Sequence, residues 1–149
     1  MDSDRRAGLV AVDNIVGKST KMYYNAIPSV VYTTPEYASV GMNLEEAQKQ
    51  GFQAVVGKFP FQALGKAVVS GTEDGFSQVI LEKETGRILG AQIVGNKAGD
   101  LIAEMTLALT NELTDECITQ TIHAHPTISE CWPEAIFVGN GEPLNFVRQ

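Results

Sequence analysis

Apolar positions recur along the chain with two different periods, and the places where the period changes divide it into elements. In AGLVAVDNIVG, Leu9, Val12, Ile15 and Val16 fall at helical spacing and Gly17 offers a stop, which predicts a short helix in want of a partner. In NAIPSVVYTTPEYASVG, β-branched and aromatic residues surround Pro28 and Pro35, so two short extended pieces broken by a turn are expected. NLEEAQKQG contains both ends of a small surface helix: Asn43 to cap it, Glu46 three positions on, and Gly51 as a left-handed exit. From Gln53 the pattern is that of strands, in QAVVGKFPF, KAVVSG, FSQVILEK and RILGAQIVG. Glu84-Thr85-Gly86 joins the last two as a hairpin with a bulge. After Gly95 the period turns helical. Ala98, Leu101, Ile102, Met105, Ala108 and Leu109 form one stripe, with Asp100, Glu104 and Thr110 largely off it, which predicts a long helix lying on the sheet. Thr114 before DECITQ predicts a second helix capped by the threonine hydroxyl, and a third begins near ISECWPEAIFVG.

Strands followed by helices are the order of an α+β fold, here a mostly antiparallel sheet of about four to five strands with helices packed on one side. A chain of 149 residues suits one domain with one core, burying about two thirds of its unfolded surface. The net charge of −7, from 11 basic and 18 acidic residues with no basic run, excludes a nucleic-acid partner. Two cysteines, Cys117 and Cys131, are too few for a disulfide scaffold and do not form CxxC; they read as buried free thiols in a reducing compartment. No apolar run reaches the roughly 18 residues of a membrane span, and MDSDRRAG lacks a signal peptide's apolar stretch, so no membrane partner is expected. Residues 1–22 and 139–149 read as extensions.

The candidate chemistry lies in HAHPTISE, residues 123–130, which holds both histidines of the chain. Thr127 to Glu130 is a T-x-x-E capping box before an apolar run, so one reading of Glu130 is a plain helix cap. Alternatively, a carboxylate on one nitrogen of His125 would fix its tautomer and make the other nitrogen a positioned base. His125 lies in an extended pre-proline segment, and Glu130 lies in a first helical turn that folds back beside it. His123 and His125 also suit two metal ligands with Cys131 as a third, although no fourth is evident. Cys131 as a nucleophile lacks any electropositive surrounding, and Trp132 is most simply core or interface. No Gly-x-Gly-x-x-Gly fingerprint and no Walker-type glycine loop occurs.

IPSVVYTTPEYASVG, GKFPF, TGRILGAQIVG and HAHPTISE, in that order, resemble the C-terminal dimerisation (interface) domain of dihydrolipoamide dehydrogenase, of the pyridine nucleotide-disulfide oxidoreductase family. The resemblance runs from about Gly8 to Phe146. The His-Ala pair before HPT-x-S-E favours the lipoamide enzyme over glutathione reductase and mercuric reductase. It implies that His125 is the catalytic base, that Glu130 orients it, and that Pro126, after a cis peptide bond, helps aim it at the flavin and redox disulfide of the partner subunit in a homodimer. FAD and NAD would belong to the parent's other domains, with none bound to this chain alone, which should be inactive by itself. A lipoyl domain of a 2-oxoacid dehydrogenase complex would be the partner, in bacterial cytoplasm or a mitochondrial matrix. No metal is implied. Residues 1–22 would be a remnant of the preceding flavin-binding region, poorly ordered or in a substituted contact, and residues 23–149 the interface domain. Pro133 stands where it could kink the segment bearing Glu130. The competing reading is a stand-alone dimerisation or binding module of the same fold without catalysis.

Overall fold

The computed structural model describes residues 2–145. Strands β1 (Ser29–Val31), β2 (Glu36–Gly41), β3 (Ala54–Pro60), β4 (Phe76–Glu82) and β5 (Ile88–Gly95) form one antiparallel sheet in the order β1-β2-β5-β4-β3. The helices are α1 (Asp2–Ile15), α2 (Leu44–Lys49), α3 (Gly65–Ser70), α4 (Ala98–Thr110), α5 (Asp115–Thr119) and α6 (Cys131–Gly139). The expected α+β architecture is therefore present. Between β4 and β5 the register shifts at Ile80 and Leu81, and Gly86 turns at φ +69°, a conformation that costs glycine nothing.

Side chains alternate across a sheet, so each strand serves two faces. Val79 and Leu81 enter the main core with Phe59, Ile93, Ile102, Met105, Trp132 and Ile136, which places α4 and α6 over one face. Ile80, between them, turns the other way and joins Leu89 and Ala47 in a smaller cluster under α2. α2 ends as the sequence indicates: Asn43 Oδ1 accepts the Glu46 N–H at 2.9 Å, Glu46 Oε2 accepts the Asn43 N–H at 2.9 Å, and Gly51 exits at φ +89°.

α6 is seated by three contacts. Gly57 on β3 has no side chain because an added Cβ would stand 1.8 Å from the Ala135 carbonyl oxygen, so helix and strand meet backbone to backbone. Ser77 Oγ, buried on β4, donates to the Cys131 carbonyl at 2.8 Å. Trp132, fully buried, donates its indole N–H to the Leu101 carbonyl of α4 at 3.2 Å. α4 is itself tied to the sheet by Glu36 on β2, whose carboxylate accepts the Gly99 N–H at 3.0 Å and suits the positive end of the helix.

Several expectations require correction. KAVVSG is not a strand but α3 with its left-handed exit at Gly71; Leu64 and Ala67, three apart, are its buried contacts, while Val68 and Val69 face out. The Thr114 hydroxyl caps nothing, because it pairs with Cys117 Sγ at 3.5 Å; the Glu116 N–H is taken by Asp115 Oδ1 at 2.8 Å. Cys117 is exposed rather than buried, and hydrogen bonds from Thr114 hold its thiol below the ordinary range. Residues 2–15 form a regular helix, and Leu9, Val12 and Ile15 stand exposed on it. Pro133 causes no break: α6 starts at Cys131, so the proline sits in the first turn, where its missing N–H has no intrahelical partner to lose. Phe146, at the far end of the resemblance, lies outside the described residues.

Candidate active site

The loop from Thr121 to Glu130 belongs to no helix or strand, so side chains determine where it lies. It links α5 to α6, and its two histidines go opposite ways. His123 turns inward, its side chain 9% exposed, and His125 turns outward at 80%.

His125 and Glu130 meet. His125 Nδ1 stands 2.8 Å from Glu130 Oε1, and because a carboxylate only accepts, the ring donates there. That places the proton on Nδ1 and leaves the Nε2 lone pair free on the solvent side, the form a general base requires. Glu130 Oε2 accepts the Thr127 N–H at 2.7 Å, so the same carboxylate also makes half of the capping box. The two readings of Glu130 are compatible, one per oxygen. The other half of the box is absent, since the Thr127 hydroxyl donates to the Ala124 carbonyl at 2.7 Å and meets Ser129 Oγ at 2.9 Å. Pro126 follows a cis His125–Pro126 bond and is exposed beside the ring.

Partial burial pushes the Glu130 carboxyl up, but the Thr127 N–H, the His125 hydrogen bond and the positive charge carried by His125 and His123 when protonated outweigh it, leaving it below the ordinary carboxylate value. A carboxyl lowered on folding stabilises the fold fully above its unfolded pKa of about 4.3, and that contribution fades as pH falls through the lowered folded value. Stability should therefore decline as pH drops below about 4, and Glu130→Gln should flatten that decline. Denaturant midpoints measured at several acidic pH values for both proteins check this; equal slopes would contradict it.

His123 does not join His125. Its Nε2 stands 2.7 Å from Glu104 Oε1 on α4 and its Nδ1 stands 3.0 Å from the Thr121 carbonyl. The two rings are thus engaged separately, and among the described residues no group of three His, Cys, Asp or Glu side chains could hold a metal ion. Cys131 is fully buried, and burial pushes its thiol far up, which removes it as a nucleophile. Trp132 is core. Glu104 and Ser77 were not singled out in the sequence; each reaches the loop or α6 from an element remote in the chain, and no local motif marks them.

A five-stranded antiparallel sheet thus carries the His125–Glu130 pair on an exposed loop. The family model for the pyridine nucleotide-disulphide oxidoreductase dimerisation domain matches residues 27–136, and the chain belongs to that family. It is 50% identical over 139 residues to dihydrolipoyl dehydrogenase of Chlamydia pneumoniae, covering 93% of this chain and 30% of that protein. It is 43% identical over 141 residues to dihydrolipoyl dehydrogenase of Bacillus subtilis, covering 95% and 30%. Among solved structures it superimposes on LpdA of Mycobacterium tuberculosis with a TM-score of 0.80 at 25% identity, covering 87% of this chain and 28% of that one. The HOCl-induced flavoprotein disulfide reductase RclA of Escherichia coli shares the fold, with a TM-score of 0.75 at 24% identity, covering 84% and 29%. The chain thus spans about 30% of the length of the dehydrogenases it matches. No helix among the described residues is long and apolar enough to cross a membrane.

Proposed function

We propose that this chain is the interface domain of a dihydrolipoyl dehydrogenase and that it supplies His125, oriented by Glu130, as the acid/base group of an active site completed by the partner subunit. In this reading residues 23–149 are the interface domain and residues 1–22 a remnant of the preceding flavin-binding region, in keeping with the exposure of Leu9, Val12 and Ile15. The observation that carries the reading is the asymmetry of His125: Nδ1 is committed to Glu130 while the ring is 80% exposed, so Nε2 is aimed away from its own fold.

In the proposed reaction His125 Nε2 takes a proton from one thiol of a dihydrolipoyl group. The resulting thiolate attacks one sulfur of the partner's redox disulfide, forming a mixed disulfide as the original S–S bond breaks. The second lipoyl thiol then attacks the lipoyl sulfur of that mixed disulfide and displaces the partner's sulfur, closing the lipoyl disulfide and leaving the redox pair as dithiol. FAD, held by the parent's other domains, would supply the route for the electron pair from that dithiol to NAD. His125 and Pro126, both exposed on the outward loop, fit edge contact with a flavin across an interface; nothing in this chain offers the glycine-rich cradle that holds the nucleotide. The reading places the protein in a soluble compartment, the bacterial cytoplasm, serving the lipoyl domain of a 2-oxoacid dehydrogenase complex.

Glu130→Gln in a parent enzyme of full length should lower dihydrolipoamide turnover by about tenfold with KM for NAD unchanged, because the neutral amide loses the charge that stabilises the protonated ring. Steady-state kinetics with both substrates varied read this. Turnover within twofold of wild type would contradict the role given to Glu130 in orienting the base.

A further inference from the structure

The proposed reaction uses one of the two histidines, yet the other is the better anchored. His123 makes hydrogen bonds at both ring nitrogens, to the Glu104 carboxylate at 2.7 Å and the Thr121 carbonyl at 3.0 Å, and is 9% exposed. A carboxylate only accepts, so the ring donates from Nε2 to Glu104. The Glu104 contact spans 19 residues and ties the loop to α4. The Thr121 hydroxyl donates to the Cys117 carbonyl at 2.7 Å and ties the first residue of the loop to α5, while the bonds of Thr127 to Ala124, Thr127 with Ser129, and Glu130 with Thr127 and His125 stay within the loop itself. Of these bonds the His123 contact is the one that reaches α4.

We propose that His123 and Glu104 are a positioning pair for the base: the buried ring pins the first half of the loop to α4, and this pin holds His125 where Glu130 can fix its tautomer. The proposal depends on His125 being the base, as read above. A charge-assisted bond between α4 and the loop is about twice as strong as a neutral one, which suits a tether of a segment with no backbone ladder.

The chain contains two histidines and one tryptophan, so a ring-nitrogen NMR spectrum of the full 149-residue protein shows two imidazoles and one indole. Above the ordinary histidine titration range, at pH of about 8.5, wild-type His125 should show the Nδ1–H form as its main species. Glu104→Ala should lower that form by about twofold or more, in favour of Nε2–H. Glu104→Gln keeps an acceptor oxygen and should restore it. The Trp132 indole, bonded to Leu101 of α4, reports that α4 and α6 remain packed. His123→Phe is the second variant and should act like Glu104→Ala.

An unchanged His125 tautomer in Glu104→Ala or His123→Phe, with the indole signal in place, would overturn the proposal. Equal loss in Glu104→Ala and Glu104→Gln would overturn it too, because the glutamine retains the bond. Loss of the indole signal in both Glu104→Ala and His123→Phe would make the pair a folding contact rather than a positioning one, again overturning it. None of these readouts measures turnover, so failure of the pin is distinguishable from failure of His125 as the base.

Discussion

His125→Gln, in a parent enzyme of full length, is expected to lower dihydrolipoamide-dependent turnover by about a hundredfold, the low end of what a positioned base contributes. Glutamine retains a hydrogen-bonding group of similar reach but has no lone pair able to take a thiol proton near neutral pH. Glu130 would still cap the Thr127 N–H, since that bond uses the other carboxylate oxygen. Folding and dimerisation should therefore be little affected, because the His125 ring is mostly in solvent. Electron transfer between the flavin and NAD without the dithiol should be unchanged, which separates loss of the base from loss of the enzyme. Stopped-flow reduction by dihydrolipoamide measures the affected step. A loss below about threefold would count against the assignment.

Trp132→Ala is expected to cost about 3–5 kcal/mol of stability, the range for truncating a buried tryptophan. Trp132 is fully buried and joins α6 to α4 through its indole N–H. The Leu101 carbonyl lies within α4, upstream of the helix end, and keeps its backbone partner, so most of the loss comes from the cavity rather than from an orphaned acceptor. Against a total of about 5–15 kcal/mol for a domain of this size, that is a large fraction. Trp132→Phe should lose less, retaining most of the volume. Urea midpoints at constant slope give both values. A Trp132→Ala loss under about 1 kcal/mol would mean that α6 is held mainly by Gly57 and Ser77.

The parts of this protein that were legible in its sequence are those whose causes are local. Asn43, Glu46 and Gly51 define α2 because capping acts over three or four residues. His125 and Glu130, five apart, meet because the chain turns between them into α6, and the resemblance names the pair where spacing alone left a cap, a metal and a base open. KAVVSG misled because Val68 and Val69 carry a strand-like propensity, while the burial of Leu64 and Ala67 decides for a helix. Pro133 misled because its effect depends on where α6 begins, which Glu130 and the loop before it determine. The contacts that no reading of the sequence supplied are long-range: Glu104 to His123, Ser77 to Cys131 and Glu36 to Gly99 are 19, 54 and 63 residues apart. They arise from strand order and register, which bring together side chains that no spacing rule connects.

Glu130 shows why the bland and the functional readings of one residue need not compete. Its two oxygens serve the backbone of the loop and the ring of His125, so a capping contact and the proposed catalytic pair are the same construction. Among the described residues the Nε2 of His125 has no hydrogen-bond partner, and the central claim is that its partner belongs to another subunit. The most direct measurement is a hybrid dimer of the parent enzyme, with His125→Gln in one subunit and an inactivated redox disulfide in the other. Each homodimer alone should be nearly inactive. The hybrid should recover about half of wild-type turnover, because the intact histidine of one subunit faces the intact disulfide of its neighbour. A hybrid as inactive as the two homodimers would show that base and disulfide act within one chain, and would contradict the shared site.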